Sequence, residues 1–358
     1  MTDDLQALGW TARFAELFEP YGAEGLVPAR IGLEHTHIYR VLTGREEWLA
    51  RVAGRLRHQA AARADFPAVG DWVAVEPPAS SGDARIKAVL PRASRFSRRA
   101  AGDVTEEQVL AANIDTVFLI GGLDHDFNPR RLERYLVVAW ESGATPVIVL
   151  NKADLVEDPE GAVNEVRALA PGVDVHAVSV RRPESLEQLR AYLTPGRTGA
   201  LLGSSGVGKS SIVNSLVGHD LLRTHDVRES DSRGRHTSTN RQLVQLPGGG
   251  LLIDTPGMRE LQLWDAGGWS ETFADVAGLA EHCRFRDCRH RDEPGCAVTA
   301  AVAAGDLAES RLESFRKLDA EREHAERQQD ERALLERKRQ GRIGAKAVRQ
   351  ITKLKGRT

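Results

Sequence analysis

The chain reads as an α/β protein in three parts. Residues 1–97 hold a short N-terminal segment and a small β-barrel. Residues 98–272 form a largely parallel sheet with helices, and residues 273–358 form a helical module that ends in a basic tail. Three observations predict this. The hydrophobic pattern switches near residue 98 from short alternating strands to alternating strand-like and helix-like runs. Three loop signatures then occur in an unusual order: Asn151-Lys152-Ala153-Asp154 first, Gly203-Ser204-Ser205-Gly206-Val207-Gly208-Lys209-Ser210 second, Asp254-Thr255-Pro256-Gly257 last. Finally, the three cysteines all fall between Cys283 and Cys296.

Bulk properties bound the class. At 358 residues two or three domains are expected. A hydrophobic fraction of 41% with 28% charged residues predicts globular material rather than a disordered or fibrous chain. No apolar run approaches a membrane span, and the acidic start Met1-Thr2-Asp3-Asp4 lacks the basic-then-apolar pattern of a secretion signal. A cytoplasmic protein without a membrane partner is expected. The net charge of −2 hides an asymmetry, because Arg337–Thr358 carries nine Lys or Arg and no acid, leaving the remainder at −11. Such a tail suits nucleic acid, and equally a solvated terminus. An odd, clustered set of cysteines excludes a disulfide framework and points to metal or a reactive thiol.

The elements follow in order. Trp10–Phe18 is helical in pattern. Ile31–Leu33, His37–Leu42, Trp48–Leu56, Asp71–Val75 and Arg85–Leu90 read as strands separated by Gly, Pro and Ser. About five short strands in so short a span predict a barrel, OB-like by preference, although SH3-like barrels read similarly. Thr116–Ile120 is a buried strand, and Asn128-Pro129 opens a helix with a capping Asn and a first-turn Pro. Pro146–Leu150 and Val173–Val178 are further strands, the second followed by a helix through Leu186, Leu189 and Leu193. A strand at Thr198–Leu202 precedes the glycine-rich loop, helix Lys209–Val217 follows it, and Leu251–Ile253 leads into Asp254. Beyond residue 273 the chain is helical, with Leu307, Arg311, Phe315 and Leu318 on one face. Residues 319–331 carry no large apolar side chain, which predicts an exposed continuation.

The loop from Gly203 to Ser211 has the spacing of a phosphate cradle. Its glycines let backbone N–H groups turn toward phosphate oxygens, Lys209 reaches the β- and γ-phosphates, and the Ser210 hydroxyl suits Mg²⁺. Bound phosphate would also sit at the start of the Lys209–Val217 helix. Asp154 reads the base. Its carboxylate accepts from guanine N1–H and N2–H₂ together, whereas adenine offers an acceptor at N1 and no amine at C2, which leaves a buried polar group unpaired. Lys152 lays its stem over the ring and Asn151 braces the loop. Ser179, after the Val173–Val178 strand, is either a support for the guanine or an ordinary strand-end serine.

Asp254 holds Mg²⁺, and the Gly257 N–H senses the γ-phosphate. The next residue is Met258, whose thioether cannot orient water as the glutamine common there does, so unaided hydrolysis is expected to be slow. Ras-like hydrolysis alone runs at only about 10⁻⁴ s⁻¹. The polar stretch Gly234-Arg235-His236-Thr237-Ser238-Thr239 reads as a switch. Thr237 or Thr239 caps Mg²⁺ and His236 orients the water, against the plainer reading of a solvated loop histidine. His236 and Lys209 are the candidate catalytic pair. The three signatures define a P-loop GTPase domain that is circularly permuted, since the base-reading motif stands first.

Cys283-x₄-Cys288-x-His290-x₅-Cys296 supplies three thiolates and an imidazole, a closed tetrahedral zinc shell and therefore a structural site. The alternative is three buried reduced cysteines, but Arg284, Arg286, Asp287, Arg289 and Arg291 are too charged for a core. The spacing is not that of a DNA-reading finger, and the arginines suit phosphate contact.

Barrel, permuted motifs, Gly-Arg-His-Thr-Ser-Thr switch and cysteine–histidine spacing together resemble the bacterial ribosome small-subunit-dependent GTPase A family over about residues 28–320. The resemblance implies an OB-fold, a permuted GTPase domain and a zinc domain. It also implies late maturation of the 30S subunit, 16S rRNA binding, and GTP hydrolysis to GDP stimulated by the subunit, with other assembly factors as further partners and the chain itself a monomer. The family lacks the catalytic Gln, and its switch histidine, here His236, is given a catalytic role. The chain departs from the pattern in reading His-Thr-Ser-Thr where three threonines are usual. Residues 1–27 and the charged tail lie outside it. Two other readings stay open: a nucleotide-gated RNA-binding scaffold whose hydrolysis is incidental, and an ATP-dependent P-loop kinase, which Asp154 disfavours.

Overall fold

The computed structural model describes residues 2–35, 38–79, 82–99, 107–124, 127–218, 241–254, 269–323 and 327. The described residues up to 274 fall in one compact unit, and 275–323 in a second.

The first unit begins with helices α1 (Thr2–Ala7) and α2 (Ala12–Ala23). Strands β1 (Val27–His35), β2 (Ile38–Leu42) and β3 (Glu47–Val52), helix α3 (Gly54–Gln59), and strands β4 (Trp72–Glu76) and β5 (Ala84–Val89) follow. The strand order β1-β2-β3-β5-β4, with β4 pairing back onto β1, closes the expected OB-like barrel. The strand expected over Trp48–Leu56 stops at Val52. Gly54 begins a helical turn there, and the Ala53 N–H is taken by Ile86 O at 2.9 Å. Aromatic packing anchors the N-terminal helices. Trp10 meets the fully buried Trp72 edge-on at 4.6 Å, and Phe14 lies 5.9 Å from the same ring.

Beneath this cluster lies a buried guanidinium. Arg30 donates to Gly70 O at 3.2 Å, to Asn113 O at 2.9 Å and to Leu8 O. Burial lowers its pKa to about 10, against the pull of Asp115 and Asp71. Asp71, also buried, takes two 2.8 Å bonds from Arg92.

An unforeseen antiparallel pair, β6 (Arg95–Arg99) and β7 (Glu107–Ala112), leads into the second sheet. That sheet comprises β8 (Thr116–Gly122), β9 (Thr145–Asn151), β10 (Asp174–Ala177), β11 (Thr198–Gly203), β12 (Gln242–Gln245) and β13 (Leu251–Asp254). Its order is β10-β9-β8-β11-β13-β12, parallel except for β12. Helices α4 (Pro129–Ser142), α5 (Pro159–Leu169), α6 (Glu187–Arg190), α7 (Lys209–Val217) and α8 (Trp269–Thr272) complete the unit. One sheet face buries Phe118, Ile120, Val147 and Val149 against Ile212, Val213 and Leu216 of α7 and Leu186, Leu189 and Leu193. The alternate residues Val117, Leu119, Ile148 and Leu150 are buried too, as two-sided parallel strands require, with α4 packed on β8 and β9. As predicted, Asn128 caps α4, accepting from Arg131 N at 3.3 Å, with Pro129 in the first turn. Barrel and sheet join edge to edge: Leu33 of β1 pairs with Gln242 of β12, flanked by an Arg241–Glu34 ion pair of 3.6 Å.

The second unit holds α9 (Ala274–Ala280) from its second residue on, α10 (Ala297–Ala304) and a helix over residues 309–323. Arg311 is buried there and makes two 3.0 Å bonds to Asp275, and Leu307, Leu312 and Leu318 are buried as well. No helix among the described residues is long and apolar enough to cross a membrane.

Candidate functional site

The site gathers at the carboxyl ends of three parallel strands, β11 and its neighbour β13 and, across β8, β9. β11 ends in the glycine-rich loop, β9 in Asn151 and β13 in Asp254. Open α/β sheets bind ligands at this edge. Gly203, Ser204, Ser205 and Gly206 lead to the buried Val207, whose side chain is core, so its contribution to a ligand is limited to its backbone. Gly208 has φ +94°, and a Cβ there would collide with the Asn151 amide, so both backbone conformation and space require glycine. Lys209 starts α7, and its ammonium donates to Gly203 O at 2.7 Å and to Ser204 O. Ser210 and Ser211 follow in the first turn, half-buried.

The base-reading loop is tied to the phosphate loop. Asn151 is fully buried and donates from Nδ2 to Val207 O at 2.8 Å. Its Oδ1 is a buried acceptor without a partner. Lys152 adopts φ +65° and pairs its ammonium with Asp124. Asp154 accepts from the Ser179 hydroxyl at 2.5 Å, with Arg181 3.3 Å from its other oxygen. The Ser179 hydroxyl is the main reason the Asp154 carboxyl lies below the usual range, with Arg181 and Arg182 helping. Ser179 is itself buried, and its N–H is taken by Ser185 Oγ at 2.9 Å. It thus holds the Asp154 carboxylate in the charged, acceptor-only form. Of the switch residues, His236, Thr237, Thr239, Gly257 and Met258 lie outside the described residues. Asp254 ends β13 there, beside the phosphate-loop strand.

Two residues escaped the sequence reading. Asp124 has no motif signal. Arg181 stands two positions after Ser179, where only spacing could have marked it.

In the second unit, Cys283, Cys288, His290 and Cys296 bring their ligand atoms within 4.8 Å of one another. Zinc bonds of about 2.3 Å to sulfur and 2.0–2.1 Å to nitrogen imply tetrahedral edges of about 3.8 Å S–S and 3.5 Å S–N. The measured edges are 3.8 Å for Cys283–Cys296, and 3.6 and 3.4 Å from those sulfurs to His290 Nδ1. The donor set and spacing therefore fit a closed four-ligand site. The supporting contacts are built in: Arg316 Nε donates to His290 O at 2.9 Å, and Phe315 packs on the imidazole at 5.8 Å. Burial alone would raise the Cys296 thiol, but hydrogen bonds from Thr299 and contact with His290 bring it down to about 6.

Sheet order and loop chemistry define the class: a P-loop GTPase in which the glycine-rich loop, the Asn151–Asp154 loop and the end of β13 lie at the carboxyl end of the sheet although the Asn151–Asp154 loop comes first in the chain. The comparisons with known proteins carry this to a family. Residues 89–264 match the family model described as RsgA GTPase. The chain is 51% identical to "Small ribosomal subunit biogenesis GTPase RsgA" of Opitutus terrae, over 91% of this chain and 92% of that protein. To the protein of the same name from Streptomyces coelicolor it is 44% identical, over 96% and 94%. The crystal structure of YjeQ from Thermotoga maritima superposes with a TM-score of 0.63 at 28% identity, covering 82% of this chain and 97% of that one. YloQ, described as a circularly permuted GTPase, superposes at 0.60 with 23% identity, covering 84% and 96%, and supports the fold alone. The chain belongs to the RsgA GTPase family, and it is an enzyme that hydrolyses GTP.

Proposed function

We propose that this GTPase acts in late maturation of the small ribosomal subunit, binding 16S rRNA on the immature 30S particle and hydrolysing GTP to GDP when the particle stimulates it. The observation that carries the reading is the pairing of a guanine-reading carboxylate, fixed by Ser179, with a Cys₃His module in a chain whose relatives, matched over about nine-tenths of its length, are named small ribosomal subunit biogenesis GTPases. The protein acts in the cytoplasm as a monomer, in three working parts: residues 1–97, 98–272 and 273–358.

Each candidate residue has a role in this reading. Asn151, Lys152, Asp154 and Ser179 hold guanine. The backbone from Gly203 to Ser211 cradles the phosphates, and Lys209 neutralises the charge that develops on them. Ser210, Asp254 and either Thr237 or Thr239 offer the hard oxygen donors that suit Mg²⁺, which when bound neutralises phosphate charge. Gly257 senses the γ-phosphate, and His236 orients the attacking water in place of the absent Gln. Zinc in the Cys₃His site is structural, because four protein ligands leave no open position.

The test is GTP turnover with and without purified 30S subunits. Slow turnover alone and a large rise with 30S are expected, with the rise lost in His236→Ala and GTP binding lost in Asp154→Asn. Stimulation by a different particle and none by 30S would refute the reading. Subunit binding and release that both survive His236→Ala would favour the nucleotide-gated scaffold instead.

A further inference from the structure

We propose that Asp124 is a positioning residue of the guanine site, holding the Lys152 side chain in the pose that covers the base. The inference rests on the guanine-site reading above and deepens it by one residue outside the three motifs.

Asp124 lies just past β8, the strand that neighbours β9, and its carboxylate pairs with the Lys152 ammonium. The two loops are also joined through backbone. Gly122 is the register partner of Asn151, and the Leu123 N–H donates to Asn151 O at 2.8 Å. The carboxylate folds back over the strand end, since a Cβ on Gly122 would lie 3.0 Å from Asp124 Oδ1. A side chain at position 122 would thus press on the carboxylate that meets Lys152.

This is not an ordinary surface ion pair. Exposed pairs contribute little because both side chains are solvated and mobile. Here only 25% of the Lys152 side chain and 24% of that of Asp124 are exposed. Lys152 also has a backbone in the left-handed region (φ +65°), which directs its stem differently from an ordinary strand residue. A lysine carries much rotamer freedom, and ordering its stem over a base opposes binding. A carboxylate that fixes the far end of the stem beforehand removes that opposition from the binding step. Asp124 therefore acts through Lys152, on guanine nucleotide affinity and not on the chemical step.

The experiment is a double-mutant cycle on the full-length chain, read by calorimetric titration of GDP and by the KM and kcat of GTP hydrolysis. Asp124→Ala is expected to weaken GDP on the order of tenfold and to raise KM correspondingly, with the effect absent from turnover at saturating GTP. Asp124→Asn, whose amide oxygen still accepts from the ammonium, is expected to recover most of the affinity. With Lys152→Met in place, Asp124→Ala should change GDP affinity by less than about twofold. Asp124→Ser repeats the cycle with a polar side chain too short to reach, so the result does not depend on the Ala variant folding well. Equal weakening in both backgrounds, or an Asp124→Ala protein that binds GDP as the wild type does, overturns the assignment. A wild-type chain that fails to bind GDP removes the guanine reading itself, and the assignment with it.

Discussion

The contact between Gly208 and Asn151 gives a quantitative prediction, because one hydrogen bond is exposed to two different substitutions. Asn151→Ala removes the Nδ2 donor that satisfies Val207 O at 2.8 Å in a fully buried setting. Leaving that acceptor unpaired costs about 1–3 kcal/mol. Gly208→Ala forces a non-glycine residue into φ +94°, at about 1–2 kcal/mol, and drives its Cβ into the Asn151 amide. The amide must then move, so the same hydrogen bond is lost and the total reaches about 2–5 kcal/mol. In the double variant the amide is gone and the collision with it, so the bond is counted once. The double variant should be no less stable than Gly208→Ala alone, with a coupling of about 1–3 kcal/mol. Urea denaturation of the four proteins measures this directly, and GDP titration should show affinity lost in all three variants. Independent sites add to within about 0.5 kcal/mol. Two costs that add to that precision would refute the claim that the base and phosphate loops are joined through this bond.

Two further outcomes follow from the sites. Ser179→Ala removes the hydroxyl that keeps the Asp154 carboxyl below the usual range, so that group rises toward its ordinary value. In the proposed function guanine is held by this carboxylate, and a depressed pKa preserves it as pH falls; in the variant, GDP affinity should therefore decline at a higher pH on acidification than in wild type. Identical pH profiles by calorimetry would contradict the role given to Ser179. Elemental analysis should find one zinc per chain, and strong chelation should open residues 283–304 to proteases while GDP affinity stays within about twofold, because the cluster and the nucleotide loops lie in separate compact units. A chelated protein with unchanged cleavage would remove the metal's structural role.

The parts of the molecule that were legible in the sequence are those where chemistry dictates residue type. The glycine-rich loop requires Gly208 at φ +94° against Asn151, and the ligand atoms of Cys283, Cys288, His290 and Cys296 come together as their spacing predicts. Buried parallel strands such as Thr116–Ile120 announced themselves as continuous apolar runs. The β6–β7 pair did not, because Arg95–Arg99 is mostly basic and lacks the alternation of a half-buried strand. The end of β3 was missed since Ala53-Gly54-Arg55-Leu56 keeps an alternating look while the backbone turns helical. Partners distant in sequence were invisible for a different reason. Asp124 meets Lys152 and Asp275 meets Arg311 only through the tertiary fold, and no local pattern encodes a separation of 28 or 36 residues. The purpose of the N-terminal helices was likewise hidden until Trp10 was seen against Trp72.

Arg30 has a consequence for how this polypeptide comes apart. Its guanidinium is satisfied only when carbonyls of residues 8, 70 and 113 converge on it, one each from the leading helical stretch, the barrel and the approach to the nucleotide sheet. Excising the leading helical stretch or the approach to the nucleotide sheet would strand the barrel's Arg30 cation in a dry interior, a penalty of about 3–5 kcal/mol, comparable to the whole margin that keeps many proteins folded. Segments that look separable on paper therefore melt as a single cooperative block, and anyone trimming the gene to obtain a free-standing barrel inherits an unanswered charge at its centre.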